Sequence, residues 1–234
     1  MTSILSLAAN DLKMIIRDRM LVAVFCLPLP LLLLSAWIIP EISEQFYDLV
    51  PYSCLILSFA FIQMAVIFGF VYAFLMIDER DENILSALRV VPVSPAVFIL
   101  SRLLCATLFA FFYSVLAFVI LGLADVPVPD IILISFMFAL LAPIIALTIV
   151  ILSGNKVDAI AVFKGIDLAV LLPLVSLFIQ SSWKYIFAIF PHFWTILAFG
   201  GLLLSGSLDY LSLSVGLVLQ FVLLGGLVYR FSRI

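Results

Sequence analysis

Nearly the whole chain consists of long apolar stretches separated by short polar ones. Six of these stretches, at about 20–39, 51–77, 96–124, 131–152, 165–180 and 211–229, approach or exceed the roughly 20 residues that cross a bilayer as a helix. Proline falls inside three of them: Pro28 and Pro30 in the first, Pro143 in the fourth and Pro173 in the fifth. Each removes a backbone donor and predicts a kink or local unwinding, which a membrane helix tolerates where other helices cover it. Ahead of the first stretch, residues 2–19 follow a helical period instead. At about 100° per residue, Ile4, Leu5, Ala8, Leu12, Ile15 and Ile16 share one side, while Ser3, Ser6, Asn10, Lys13 and Arg17 gather opposite. The pattern predicts an amphipathic helix lying along the cytoplasmic leaflet, its lysine and arginines toward the headgroups.

The densest polar stretch, Asp78–Pro95 (DERDENILSALRVVPVSP), lies between the second and third runs. Within it Ile84, Leu85, Leu88 and Val91 fall at i, i+1, i+4 and i+7, the spacing of one helix face. Asp78 is placed to cap such a helix, with Glu79, Asp81 and Glu82 in a first turn where the dipole favours acids. Arg80 lies among them, Arg89 sits near the other end, and Pro92 forbids continuation. The expectation is a helix of about three turns, too short and too charged to span. Held at the membrane surface between two spans, it could pass force from a soluble partner to the bundle. A loop that served only to fix topology would need no apolar stripe.

The other polar stretches set the topology. Pro40–Val50 carries Glu41, Glu44 and Asp48, and Asp125–Asp130 is bounded by acids; neither holds a base. Ser153–Lys164 (SGNKVDAIAVFK) is basic again. Residues 185–206 form an uncharged run of 22 that could be taken for a seventh span, but Pro191 divides it and Gly200, Gly201 and Gly206 loosen its end. With six spans, Lys13, Arg17, Arg19, Arg80, Arg89, Arg102, Lys156, Lys164, Arg230 and Arg233 share one side, ten of the eleven basic residues, and Lys184 alone lies opposite. A seventh span would strand Arg230 and Arg233. The positive-inside rule makes the basic side the cytoplasm, with both termini there. Residues 185–206 then become a re-entrant pair of short helices dipping in from the outer face. Trp37, Trp183, Trp194, Tyr47, Tyr52, Tyr185 and Tyr210 all fall at outer ends, as an interfacial belt requires.

Composition narrows the function classes. Of 234 residues 67% are hydrophobic and 11% charged, so lipid is the solvent, and the loops leave no room for a separate soluble domain. A net charge of −3 points to no nucleic-acid partner. Cys26, Cys54 and Cys105 lie in apolar runs, odd in number and without metal-ligand spacing, and read as small buried hydrophobes rather than a metal site. No G-x-x-x-x-G-K-[ST] is present, so ATP is not expected to be cradled by this chain. An intramembrane enzyme needs facing carboxylates, a nucleophile with its base, or metal ligands. One histidine and one intramembrane acid are too few.

The alternative to a bundle driven by a soluble partner is an ion-coupled secondary transporter or channel subunit without an ATPase. Such proteins commonly carry inverted repeats and several intramembrane ionisable residues. Here only Asp167 qualifies, and no repeat is evident. Asp167 is a candidate pathway residue; the plainer expectation places it at the cytoplasmic interface, paired with Lys164 three residues earlier. His192, the sole histidine, could relay protons, but the plainer expectation has it lining the outer vestibule or facing water. Trp194 belongs to the aromatic-rich stretch 187–199, which suits an amphipathic or hydrophobic cargo and equally suits simple burial.

Taken together, these residues resemble the membrane permease subunits of the ABC type 2 exporter family, over the whole chain. Leu12-Lys13 through Arg17-Asp18-Arg19 resembles that family's entry helix. Asp78–Arg102 resembles its loop between spans two and three: an acidic start, a short helix ending in Leu-Arg, Pro-Val-Ser-Pro, then a base opening the next span. Where the family commonly has Gly-Thr this chain has Asn83-Ile84. Asn155-Lys156-Val157-Asp158 with Lys164, and Phe190-Pro191-His192-Phe193-Trp194, are similar to the drug or fluoroquinolone export subgroup. The resemblance implies an all-α integral membrane fold in a bacterial cytoplasmic membrane, and a permease forming half of a pathway for a hydrophobic or amphipathic drug, antibiotic or lipid-like substrate. It implies that Asp78–Val91 docks on a separate ABC ATPase subunit and that Asn155, Lys156, Asp158 and Lys164 make a second contact. ATP and magnesium would be bound by that partner. A second permease copy or a paralogue would complete a homodimer or heterodimer.

Overall fold

The computed structural model describes residues 4–45, 50–81, 95–121 and 126–233. Among them the chain is helical, without strands. The amphipathic segment forms α1 (Ile4–Arg17) and stops at Asp18, whose carboxylate accepts from the Met20 and Leu21 N–H groups and caps α2 (Arg19–Cys26). The break at Leu27 comes just ahead of α3 (Pro28–Gln45). Pro28 and Pro30 therefore sit in a first turn, where no backbone donor is needed. The helix runs on through Pro40 to Gln45, so the acidic segment expected as a loop from residue 40 is helical for its first half.

The second span is α4 (Val50–Asp81) and the third α5 (Pro95–Ile120). The fourth is divided into α6 (Val128–Ala139) and α7 (Leu141–Leu152). The break at Leu140 precedes Pro143 by three residues, where the proline ring collides with the carbonyl four positions back. The fifth begins earlier than its hydropathy suggests. Only Ser153–Asn155 link α7 to α8 (Lys156–Leu171), which runs into a 3₁₀ turn, Leu172–Phe178, led by Pro173. A second 3₁₀ segment, Ser182–Ile189, and α9 (Pro191–Ser205) make up the ambiguous uncharged run. Pro191 starts α9, and Gly206, at φ 66°, ends it in the left-handed conformation that glycine adopts without strain. The last helix is α10 (Tyr210–Phe231), capped by Asp209.

Among the described residues, six helical stretches have the length and composition to cross a membrane: Arg19–Trp37, Cys54–Asp81, Ile99–Ile120, Val128–Leu152, Lys156–Phe178 and Tyr210–Phe231. The stretch Pro191–Leu204 is apolar but shorter. The second and fourth spans are the core: over an 18-residue apolar stretch of each, 78% and 83% of the residues are buried, against 22% in the first, fifth and sixth. They approach closely at Gly69. A Cβ there would lie 2.7 Å from the Ala142 carbonyl oxygen and 2.9 Å from Ile145 Cβ, so any larger residue holds the two helices apart. Phe61, Phe118, Phe138 and Phe199, from α4, α5, α6 and α9, form one aromatic cluster with ring centroids 5.1–6.0 Å apart. Through Phe199 the short α9 is keyed into the same core as the long helices. Gln220 of α10 adds a buried bond to Thr195 of α9 at 3.2 Å.

Candidate functional site

Asp78–Asp81 do not open a new helix. They form the last turn of α4, so Asp78 is not an N-cap. Acids at a helix C-terminus oppose the dipole by several tenths of a kcal/mol each, and here the opposition is outweighed by cations from neighbouring helices. Glu79 is ion-paired with Arg102 of α5, and Arg102 is also ion-paired with Asp11 of α1. Asp11, Arg102 and Glu79 are 0%, 1% and 3% exposed, so three helices are joined by charges that water does not reach. Asp78 pairs with Lys156 in the first turn of α8. Arg80 reaches the C-terminus of α7, donating to the carbonyls of Gly154 at 2.9 Å and Ser153 at 3.1 Å, with Val150 O at 3.4 Å. Those oxygens belong to a helix end with no donors of its own, and a guanidinium fork suits them. Asp81 is exposed, with a carboxylate oxygen 3.9 Å from Arg80 Nε.

The linker after α7 is organised from its own residues. Asn155 Oδ1 accepts from the N–H groups of Val157 and Asp158, both at 2.9 Å, and its Nδ2 donates to Asp158 Oδ2 at 2.9 Å. Asp158 thereby lies in the first turn, where the dipole favours it. Lys164 is exposed two turns further on, within α8 rather than in a loop. The two polar segments that the sequence shows separately are thus fastened to each other by Arg80 and the Asp78–Lys156 pair. α1, the end of α4, the start of α5, the end of α7 and the start of α8 all meet at one end of the bundle. The end of α10 is there too, since Phe231 and Ser232 line a cavity with Ile99, Leu100, Leu103 and Leu147. At the opposite end, Tyr210 donates to Asp130 at 3.3 Å.

Glu82, Ile84, Leu85, Leu88, Arg89 and Pro92 lie outside the described residues. The clamp brackets their segment, 82–94, from both sides, with Glu79 three residues before it and Arg102 eight residues after.

Four expectations about single residues need correction. Asp167 does not pair with Lys164; Gln63 of α4 donates to its Oδ1 at 3.0 Å, because α8 turns that edge toward α4. His192 neither lines a vestibule nor faces water. It is 2% exposed, with Nε2 2.8 Å from the Val170 carbonyl, and since a carbonyl only accepts, Nε2 carries the proton. The reason is local: Pro173 has no N–H to give the carbonyl three residues back in a 3₁₀ turn, and the histidine supplies the missing donor. Trp194 is half-buried, its indole donating to the Ala188 carbonyl at 3.2 Å and its ring against Phe193 and Tyr185, whereas Trp37, Trp183, Tyr185 and Tyr210 are exposed as a belt requires. Cys54 and Cys105 are buried, but Cys26 is exposed. Sequence reasoning passed over Asp11 and Gln63. Asp11 carries a visible signal, since it lies three residues after Ala8 and four before Ile15, in the middle of the apolar face of α1.

The family model described as "Fluoroquinolones export permease protein Rv2686c-like" matches residues 11–228, a span that holds every residue of this clamp. The chain belongs to that family. Two relatives, "Fluoroquinolones export permease protein MT2760" and "Fluoroquinolones export permease protein Rv2686c", come from Mycobacterium tuberculosis strains CDC 1551 / Oshkosh and ATCC 25618 / H37Rv. Each is 29% identical over 198 residues, covering 81% of this chain and 79% of the relative. No solved structure matches. The permease is accordingly an integral membrane protein of the ABC-2 export type, and such a family implies an ABC transporter complex.

Proposed function

We propose that this permease forms half of the pathway of an ATP-driven exporter of amphipathic drugs, fluoroquinolones among them, and that a separate ABC ATPase subunit drives it. The observation that carries the reading is the clamp. Five helices are tied by ions and charge-assisted bonds that flank, in the chain, one short segment, 82–94, whose Ile84, Leu85, Leu88 and Val91 have the sequence spacing of a single helix face. Residues 82–94 act as a coupling helix whose stripe enters a groove of the ATPase. Asp81 and the exposed Asn155, Asp158 and Lys164 provide a second polar contact. When two ATPase subunits close on ATP and magnesium, movement of the coupling helix passes through Glu79 and Arg102 to α1, α4 and α5. Through Arg80 and Asp78 it passes to α7 and α8. ATP hydrolysis belongs to the partner.

In this reading the clamped, basic end faces the cytoplasm of a bacterial cell, with both termini there. α1 lies in the interface, and Ser182–Ser205 form the re-entrant pair, dipping in from outside and buried through Phe199 and Thr195. A second copy or a paralogue completes the pathway. The test is to express the permease with an ABC ATPase encoded beside it, purify through a tag on the permease, and follow fluoroquinolone efflux. The reading expects co-purification and ATP-dependent efflux. Efflux that survives removal of the ATPase overturns it in favour of an ion-coupled transporter.

A further inference from the structure

Asp167 lies eleven residues into α8, about 16 Å along the axis at roughly 1.5 Å per residue, within the fifth candidate span, Lys156–Phe178. Its partner is at the same level, since Gln63 of the second span donates to it. A carboxylate at this level is costly unless something compensates its charge. Gln63 does not: a neutral amide occupies one lone pair at 3.0 Å and leaves the charge in place. Among the described residues the ion pairs join acids to Arg80, Arg102 and Lys156, none of which is near this level. Lys164, one turn closer to the clamped end, is exposed and can extend its ammonium toward the headgroups. Both Asp167 and Gln63 are partly exposed, so the pair is open on one side. That side is flanked by exposed Leu168 and by Gly165, which faces open space.

We propose that the Gln63–Asp167 pair is the recognition site for the positive charge of an amphipathic substrate, an alkylammonium whose apolar body lies along the adjoining face of α8. This rests on the reading of the chain as a drug-export permease. Asp167 supplies the charge and the acceptor oxygen, Oδ2, that Gln63 leaves free. Gln63 fixes the carboxylate's orientation from the core helix α4, so it is a positioning residue. The cation completes the charge balance that the protein leaves open, and a neutral analogue of the same shape gains nothing at this site.

The test uses a matched pair of fluorescent probes, dansylcadaverine, which carries a primary ammonium, and its N-acetyl derivative, which does not. Both are titrated onto the full permease in phosphatidylcholine nanodiscs, with permease-free discs subtracted. The wild type is expected to prefer the ammonium probe by on the order of tenfold or more, as for a hydrogen bond to a charged group. Asp167→Asn, whose Oδ1 still accepts the Gln63 hydrogen bond and so keeps the fold, should abolish that preference, and Asp167→Glu should restore part of it. Equal binding of the two probes by the wild type, or a preference that survives in Asp167→Asn, overturns the proposal. Co-purification of the ATPase with Asp167→Asn separates the two readings: retained docking with lost preference, or with no preference at all, speaks only to the cation site. Lost docking in the wild type would remove the exporter reading itself.

Discussion

Replacing Arg102 by Met tests the clamp. The guanidinium is 1% exposed and ion-paired with Asp11 and Glu79, themselves 0% and 3% exposed. Methionine fills much of the same volume, so packing changes little, but two buried carboxylates lose their counter-ion. Removing one partner of a buried pair typically destabilises by about 3–5 kcal/mol. Removing every charge at once is a different perturbation. With Asp11→Leu, Glu79→Met and Arg102→Met together, nothing charged is left to desolvate, and such replacements are typically neutral or stabilising by about 1–4 kcal/mol. The single variant should therefore unfold well below the wild type, followed by tryptophan fluorescence in detergent, and the triple variant should regain most of the loss. The regained fold should still be a poor exporter, because α1 and α5 no longer follow α4. An Arg102→Met protein as stable as the wild type would refute the buried triad. A triple variant no better than the single one would refute the argument that uncompensated charge is what destabilises.

His192→Phe should lower the unfolding midpoint by about 1–3 kcal/mol worth of stability, the cost of leaving the Val170 carbonyl without its donor, whereas His192→Gln should recover part of it; equal stability of the Phe variant would place the donor elsewhere. Gly69→Val should cost more than Gly69→Ala, itself about 1–3 kcal/mol for forcing a packed interface apart, with expression and thermal stability as readouts. In a Cys26→Ser background, a cysteine at Ser181 should react with an impermeant maleimide only from outside intact cells and one at Ser232 only from inside; labelling of both from one side contradicts six crossings.

Much of this architecture is legible in residue order, for particular reasons. Apolar run length marks the six spans because a bilayer demands about 20 residues whatever their identity. Pro28, Pro143, Pro173 and Pro191 mark breaks because each lacks a donor. Helix ends near charges are harder. Asp78, Glu79 and Asp81 look like a first turn when only the local dipole is considered, and become a last turn because Arg102 and Lys156 approach from 23 and 78 residues beyond their partners Glu79 and Asp78. Lys156–Lys164 reads as a loop by polarity, yet Asn155 caps a helix there. The partners of Asp167 and His192 lie 104 and 22 residues distant, and no stretch of span length, about 20 residues, contains both members. Periodicity assigns a face to Asp11, but only the fold shows that a cation lies beneath that face.

The account depends most on segment 82–94 acting as the handle for an ATPase, and the measurement that reaches this most directly is ATP turnover by that partner with and without the permease. The wild-type permease should co-purify with the ATPase and change its turnover. Leu88→Glu or Leu85→Asp, which place a charge in the apolar stripe, should abolish that change and stop transport while the permease remains folded and membrane-inserted. Undiminished docking, turnover and transport in both variants would contradict the account.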